Sequence, residues 1–267
     1  MAKKKETVGK TLQVAFALCI VCSVIVSAAA VSLRPQQTLN QELDIKSNIL
    51  QAAGMSERGA NRERIEELFG QFTPRLVDLR TGQFTTPEEL GVPDVLSYDQ
   101  YRAAGDPSMS IRLSDAQDKA NIRRRAHAAT VYILEEDGEM VRVVVPVHGP
   151  GLWSTLYGFI SLEGDLNTIE GIGFYDHAET PGLGGEVDNP RWKSQWVGQK
   201  LYSDDKREPQ IRLVKGGADR SAPDGEHQID SLSGATLTAR GVENLVNFWM
   251  GEDGFAPFFK NLRDGEA

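Results

Sequence analysis

Residues 130–147 read TVYILEEDGEMVRVVVPV. Thr130 to Leu134 and Val141 to Val147 are runs rich in β-branched residues, separated by Glu135-Glu136-Asp137-Gly138. Branched side chains are stiff at χ1 and fit a pleated surface, and Asp-Gly supplies the positive φ of a tight hairpin turn. The stretch predicts an antiparallel hairpin. Leu156 to Leu162 and Ile169 to Tyr175 repeat the pattern across Glu163-Gly164-Asp165. Ile211 to Val214 predicts one more strand, stopped by Lys215-Gly216-Gly217.

Helical patterns surround these strands. Gln36 to Gly54 carries Leu39, Leu43, Ile45, Ile49 and Leu50 at helical spacing and ends on glycine. Glu57 to Phe72 predicts a second, charged helix with an apolar stripe of Ile65, Leu68, Phe69 and Phe72, and Leu237 to about Met250 predicts a last one. Thr73 to about Ala120 mixes Pro, Gly and charge and predicts short strands and loops without a motif. Arg123-Arg124-Arg125 is a basic patch; three consecutive residues cannot all face one way, so a solvated end of an element is expected. The expected class is α+β, a mostly antiparallel sheet with packed helices. There is no internal repeat, no G-x-G-x-x-G and no Walker loop.

The 267 residues are 40% hydrophobic and 25% charged, which predicts a folded core. A net charge of −9 argues against nucleic acid as a partner. That charge is unevenly spread. Up to Arg34, five cations stand against Glu6, a net +4, which leaves −13 for the rest. Between Lys10 and Arg34 no residue is charged, and Thr11 to Leu33 as a helix is long enough to cross a bilayer of about 30 Å. The basic tip, residues 1–10, predicts a cytoplasmic N-terminus, with residues 34–267 as a periplasmic body on an inner-membrane anchor. A cleaved signal peptide is the rival, since Ala28-Ala29-Ala30 offers a cleavage site, but the apolar run exceeds an ordinary signal core. Cys19 and Cys22 lie within the run, one helical turn apart. Packing against neighbouring helices accounts for them, because two thiols alone do not complete a metal site. No metal centre is expected in the body.

Three segments carry chemistry. In Asp230-Ser231-Leu232-Ser233-Gly234-Ala235-Thr236-Leu237-Thr238, small hydroxyl residues and a glycine precede an apolar-periodic run, the signature of a helix start. Such a start can cradle a phosphate; alternatively Ser233 or Thr236 merely caps it. His177-Ala178-Glu179-Thr180-Pro181-Gly182-Leu183-Gly184 is a loop whose glycines permit close approach of a flat or charged group, or simply a well-bonded loop. His177 and Glu179, at i and i+2, are too few to hold zinc. Gly149-Pro150-Gly151-Leu152-Trp153-Ser154-Thr155-Leu156-Tyr157-Gly158 brings two aromatic residues into a glycine-rich setting, as core or as a binding edge.

Together these segments resemble the FMN-binding domain of the C-subunit family of the sodium-translocating NADH:quinone oxidoreductase. Residues 44–54 (DIKSNILQAAG) resemble that family's helix after the anchor, and residues 189–200 (NPRWKSQWVGQK) its tryptophan-rich stretch. The related G subunit of the Rnf complex shares the second segment and the Thr/Ser-Gly-Ala-Thr core, but usually lacks Gly-Leu-Trp-Ser, which stands here at 151–154. The resemblance implies a D-x-x-[ST]-G-A-T motif, met here by Asp230, Ser233, Gly234, Ala235 and Thr236. A flavin transferase acts on this motif, moving FMN from FAD onto the last threonine as a phosphoester. It implies further that His177, Glu179, Thr180, Leu183 and Gly184 belong to the flavin site, that Trp153 and Tyr157 flank the ring and that Lys215 stabilises a reduced, anionic flavin. No residue of the chain is expected to be catalytic: the flavin relays single electrons between neighbouring membrane subunits of a complex that oxidises NADH, reduces ubiquinone and transports Na+. Two alternatives remain, a G-type subunit and an anchored periplasmic flavin-binding sensory module. A secreted soluble enzyme with Ser233 or His177 catalytic is disfavoured by the absence of a G-x-S-x-G elbow or triad spacing.

Overall fold

The computed structural model describes residues 7–55, 59–203 and 208–267. Residues 1–6 of the basic tip, Glu6 among them, and Glu57, which enter the expectations above, lie outside them. Two units separate, one ending at Asp44 and one spanning Ile45–Ala267.

Helix α1, Val8–Ala52, runs through 45 residues with Pro35 inside it. The sequence predicted two helical stretches, Thr11 to Leu33 and Gln36 to Gly54, and the chain joins them into one. A proline removes one helical hydrogen bond, at about 3 kcal/mol, and here long helix-forming runs on both sides carry the helix past it. The expected end is met: Gly54 has φ +68, its N–H donates to Gln51 O (3.1 Å) and Met55 N–H donates to Leu50 O (2.9 Å), a left-handed cap of the Schellman kind. The apolar stretch averages a hydropathy of 2.7 over eighteen residues. Its side chains, Phe16 at 71% among them, are exposed. Cys19 and Cys22 are free thiols on this helix.

In the second unit, α2, Arg62–Phe69, starts later than expected, at Asn61, whose side chain accepts from Arg64 N–H (2.9 Å). Phe72 opens β1, Phe72–Asp78, instead of closing the helix. Next come β2 (Gln83–Thr85), α3 (Pro87–Leu90), α4 (Gln100–Gly105), β3 (Ser110–Arg112) and β4 (Arg124–Ala126). The two expected hairpins follow. They are β5 (Ala128–Glu136) with β6 (Glu139–Pro150), turning at Asp137 (φ 53) and Gly138 (φ 84), and β7 (Thr155–Glu163) with β8 (Ile169–Asp176). The sheet is antiparallel in the order β2-β1-β5-β6-β7-β8. Short α5, Pro190–Lys193, precedes β9 (Arg212–Val214), which pairs in parallel with β10 (Gln228–Asp230), a three-residue strand the sequence pattern did not reveal.

The last expected helix is α6, Thr236–Trp249; α7, Ala256–Asp264, follows it unforeseen. α6 buries Val242, Leu245, Val246 and Trp249 against Val143, Val145 and Val147 of β6 and Leu156, Ile160 and Leu162 of β7. Each such side chain contributes about 1.5–3 kcal/mol. That packing fixes the start of α6 beside the end of β6. At Gly241 an added Cβ would run into the backbone carbonyl of Pro150, so only glycine permits this approach.

Candidate functional site

The start of α6 is formed without a side-chain cap. Gly234 takes φ +73, a left-handed conformation that favours glycine, and a Cβ there would also lie 3.0 Å from Leu183 Cδ2. Ala235 occupies the cap position and its methyl offers no acceptor. Thr236 is the first helical residue, half-buried, next to exposed Ser233 and Gly234. Neither hydroxyl caps the helix, so the simpler reading of Ser233 or Thr236 as a cap is not what the chain does. First-turn N–H groups have no partner within a helix and carry its positive pole. The threonine hydroxyl stands at that pole.

Glu179 ties this start to the other two segments. Its Oε1 accepts from the N–H groups of Leu152 and Trp153 (both 2.9 Å), and its Oε2 accepts from Thr238 Oγ1 (2.5 Å). The residue is 5% exposed. Burial pushes its carboxyl up, but the bonds from the Thr238 hydroxyl and the backbone of residues 152–154 outweigh that and hold it below the usual value. Glu179 is therefore an ionised clamp with both oxygens engaged. Ser154 Oγ adds a second tie by accepting from Ala178 N–H (2.7 Å). Gly184 lies beneath the clamp: a Cβ there would strike Glu179 Oε2 and come within 2.7 Å of Thr238 Oγ1. Its need for glycine is thus packing.

His177 braces the same loop from behind. Its Nε2 pairs with Asp188 Oδ2 (2.9 Å) and its Nδ1 accepts from Glu179 N–H (3.2 Å). Asp188 also meets Lys193 Nζ at 3.3 Å. The Asp188 hydrogen bond raises the His177 imidazole above its ordinary value, against the opposing pull of burial. Thr180 is exposed, and its carbonyl accepts from Leu183 (3.1 Å) and Gly185 (3.0 Å), which shapes the turn. Asp230 acts away from the helix start: its Oδ1 accepts from Ala218 N–H (2.6 Å), pinning the loop of exposed Lys215 and left-handed Gly216 and Gly217.

Around these polar ties, large apolar side chains stay in solvent: Leu152 (46%), Trp153 (68%), Leu183 (44%) and Leu237 (55%). An open helix pole bordered by exposed apolar side chains suits a flat, phosphate-bearing molecule. Tyr157 stands apart from them. Alternation along β7 puts it on the face opposite Leu156 and Ile160, which pack under α6, and its ring lies 4.6 Å from that of Tyr101. The expectation that Tyr157 shares a ring-flanking edge with Trp153 does not match this geometry. Thr238, Ser154, Asp188, Leu152 and Leu237 were not singled out from sequence; only the position of Thr238, one turn into the predicted helix, signalled its direction.

Residues 151–251 match the family model of the FMN-binding domain. The chain is 48% identical to the C subunit of the Na(+)-translocating NADH-quinone reductase of Pseudomonas aeruginosa, over 98% of this chain and 99% of that one. It is likewise 48% identical to the protein of the same name from Vibrio anguillarum, covering 99% of each. The crystal structure of Shewanella oneidensis NqrC, 38% identical, superposes with a TM-score of 0.73 over 82% of this chain and 96% of that chain. A similarity that spans both chains end to end, and extends to the fold, identifies this protein as a member of the C-subunit family of the Na(+)-translocating NADH-quinone reductase.

Proposed function

We propose that the chain is an electron-transfer subunit that carries FMN as a phosphoester on Thr236. The observation that carries the reading is the start of α6: a threonine hydroxyl at an uncapped helix pole, inside the segment that matches the FMN-binding domain. The N–H groups of the first turn would hold the ester phosphate, which keeps a negative charge. Ser233, Gly234 and Ala235 are small enough to leave the hydroxyl accessible to a separate flavin transferase. Asp230, the remaining motif residue, bonds Ala218 and so fixes the neighbouring Lys215 loop. In the attachment, Thr236 Oγ loses its proton and bonds to phosphorus as the AMP half of FAD departs.

Leu183 and Trp153 are the apolar contacts on offer to the ring, while Glu179, His177 and Gly184 hold the loops that present them. Bound FMN supplies the redox chemistry; the protein supplies tether, orientation and exclusion of water. Residues 11–33 would anchor the chain once through the inner membrane, with 1–10 cytoplasmic and 34–267 periplasmic beside the other membrane subunits. The assembled complex would oxidise NADH, reduce ubiquinone and move Na+. Mass spectrometry of the native N-terminus tests the anchor; a mature chain beginning near Val31 overturns it.

The test of attachment is in-gel flavin fluorescence after SDS denaturation, with the chain co-expressed with a flavin transferase. The wild type should give a fluorescent band and Thr236→Ala none, because alanine has no oxygen to esterify. A band of unchanged intensity in Thr236→Ala refutes the assignment.

A further inference from the structure

Of the arginine triplet only Arg123, just before β4, is solvated; Arg124 is half-buried. Arg125 is 4% exposed and its guanidinium donates to Asp253 O (2.5 Å). Arg123 and Arg124 instead line a cavity of about 500 Å³ on the Tyr157 face of the sheet, with Tyr101, His148 and Gly105. Its aromatic wall is ordered: the Tyr101 ring stands edge-on to His148 at 4.8 Å and to Tyr157 at 4.6 Å. Its cationic rim is set by the backbone. Asn121 (φ 54) and Arg123 (φ 66) both take left-handed conformations, held by Asp118, which accepts from the N–H groups of Ile122 (2.7 Å) and Arg123 (2.8 Å). Arg124 is steadied by Ser110, donating to its Oγ (2.9 Å) and its carbonyl (3.0 Å). No carboxylate lines the cavity among the described residues, in a chain of net charge −9.

His148 supplies a third kind of group. It is 8% exposed, and its Nδ1 is buried without a hydrogen-bond partner. Burial pushes the imidazole down to about 4, so the ring is neutral at physiological pH, with one donor and one acceptor nitrogen. Backbone strain at Arg123 and an unpartnered buried nitrogen both cost stability, and such features concentrate where a protein receives a ligand. Guanidinium groups match a carboxylate, and aromatic walls match a flat apolar body.

We propose that this cavity binds a small aromatic carboxylate, its acid group read by Arg123 and Arg124 and its ring packed against Tyr101 and Tyr157. None of Ser233, Gly234, Ala235 and Thr236 lines the cavity, and the proposal does not depend on the flavin reading.

Isothermal titration calorimetry of the full chain in detergent micelles tests it with three probes: benzoate, neutral benzyl alcohol and inorganic phosphate. Benzoate should bind saturably, and each of the other two at least about tenfold more weakly. Arg123→Gln, an exposed substitution, should weaken benzoate by about tenfold. Gly105→Leu should weaken binding, since Gly105 lines the cavity and a Cβ there meets nothing within 4 Å. Thermal unfolding checks that both variants fold; if Gly105→Leu does not, the exposed Arg123→Gln decides. Failure of benzoate to bind the wild type overturns the proposal. So does equal binding by the folded variants, or an alcohol or phosphate affinity that matches benzoate.

Discussion

Helices α4 and α6 each begin beside one of the two sites, and they begin differently. At α4, Asp99 Oδ1 accepts from the N–H groups of Tyr101 and Arg102, both at 3.0 Å. At α6, alanine stands in the cap position and no side chain reaches back, although Ser233 lies two residues before it. The chain caps α2 with Asn61 and α3 with Thr86 in the same manner as α4. The first pole is thus neutralised within the protein, while the second is left available to an outside anion. A helix that supports an aromatic wall needs a firm start. One that receives a phosphate needs a free one.

The sharpest challenge to this contrast lies under the clamp. Gly184→Val would place branched methyls against Glu179 Oε2 and Thr238 Oγ1, which are bonded to each other, Glu179 being held as well by two backbone N–H groups. Destabilisation of up to about 3 kcal/mol is expected from overpacking alone, read as a fall in the urea midpoint. The sequence reading of this glycine as a close approach to the flavin predicts that the domain stays folded, with only flavin properties disturbed; the packing predicts that stability falls first. An unchanged midpoint would restore the flavin-contact reading and show that the clamp yields.

What the sequence disclosed follows the same division. The hairpins at 130–147 and 156–175 were legible because β-branched runs and an Asp-Gly turn are local. The three loop segments were legible because each is contiguous. The clamp was not, since Glu179 and Thr238 stand 59 positions apart and only the fold joins them. Tyr157 was assigned to the Trp153 edge by proximity in sequence, although period-two alternation already put it on the face opposite Leu156. The arginine cavity was illegible for a further reason: it draws residues from α4, the turn before β4, β6 and β7, and its decisive feature is a pair of left-handed non-glycine residues.

An effect of intermediate size separates the buried histidine from the rest. His148 titrates near 4 when folded and near 6.5 when unfolded. Its folded value is depressed, so the unfolded chain binds the proton first, and stability falls as pH drops from about 6.5 towards 4. Between about pH 7 and pH 5 the loss from this group is about 2 kcal/mol. His148→Gln should flatten that part of the stability profile, measured by denaturant titration at each pH. A profile of unchanged slope would mean that the imidazole is not held neutral by burial, and the cavity would lose its uncharged wall.

The smallest effects return to the two helix starts. Asp99→Ala removes the acceptor of two N–H groups and should cost about 1 kcal/mol. Thr236→Ala removes a hydroxyl that caps nothing, so without flavin it should change stability by less than about 0.5 kcal/mol. Both variants are best compared as full chains produced without a flavin transferase, so that attachment does not enter, using one denaturant series for each. Both substitutions shorten a polar side chain to a methyl beside a helix start; alanine has the better helix propensity at Thr236, inside its helix, so any loss measured there is a lower limit on capping. A Thr236→Ala loss as large as that of Asp99→Ala would mean that the threonine hydroxyl is spent on its own helix. The start of α6 would then be closed like that of α4, and the phosphoester would lose the opening on which it rests.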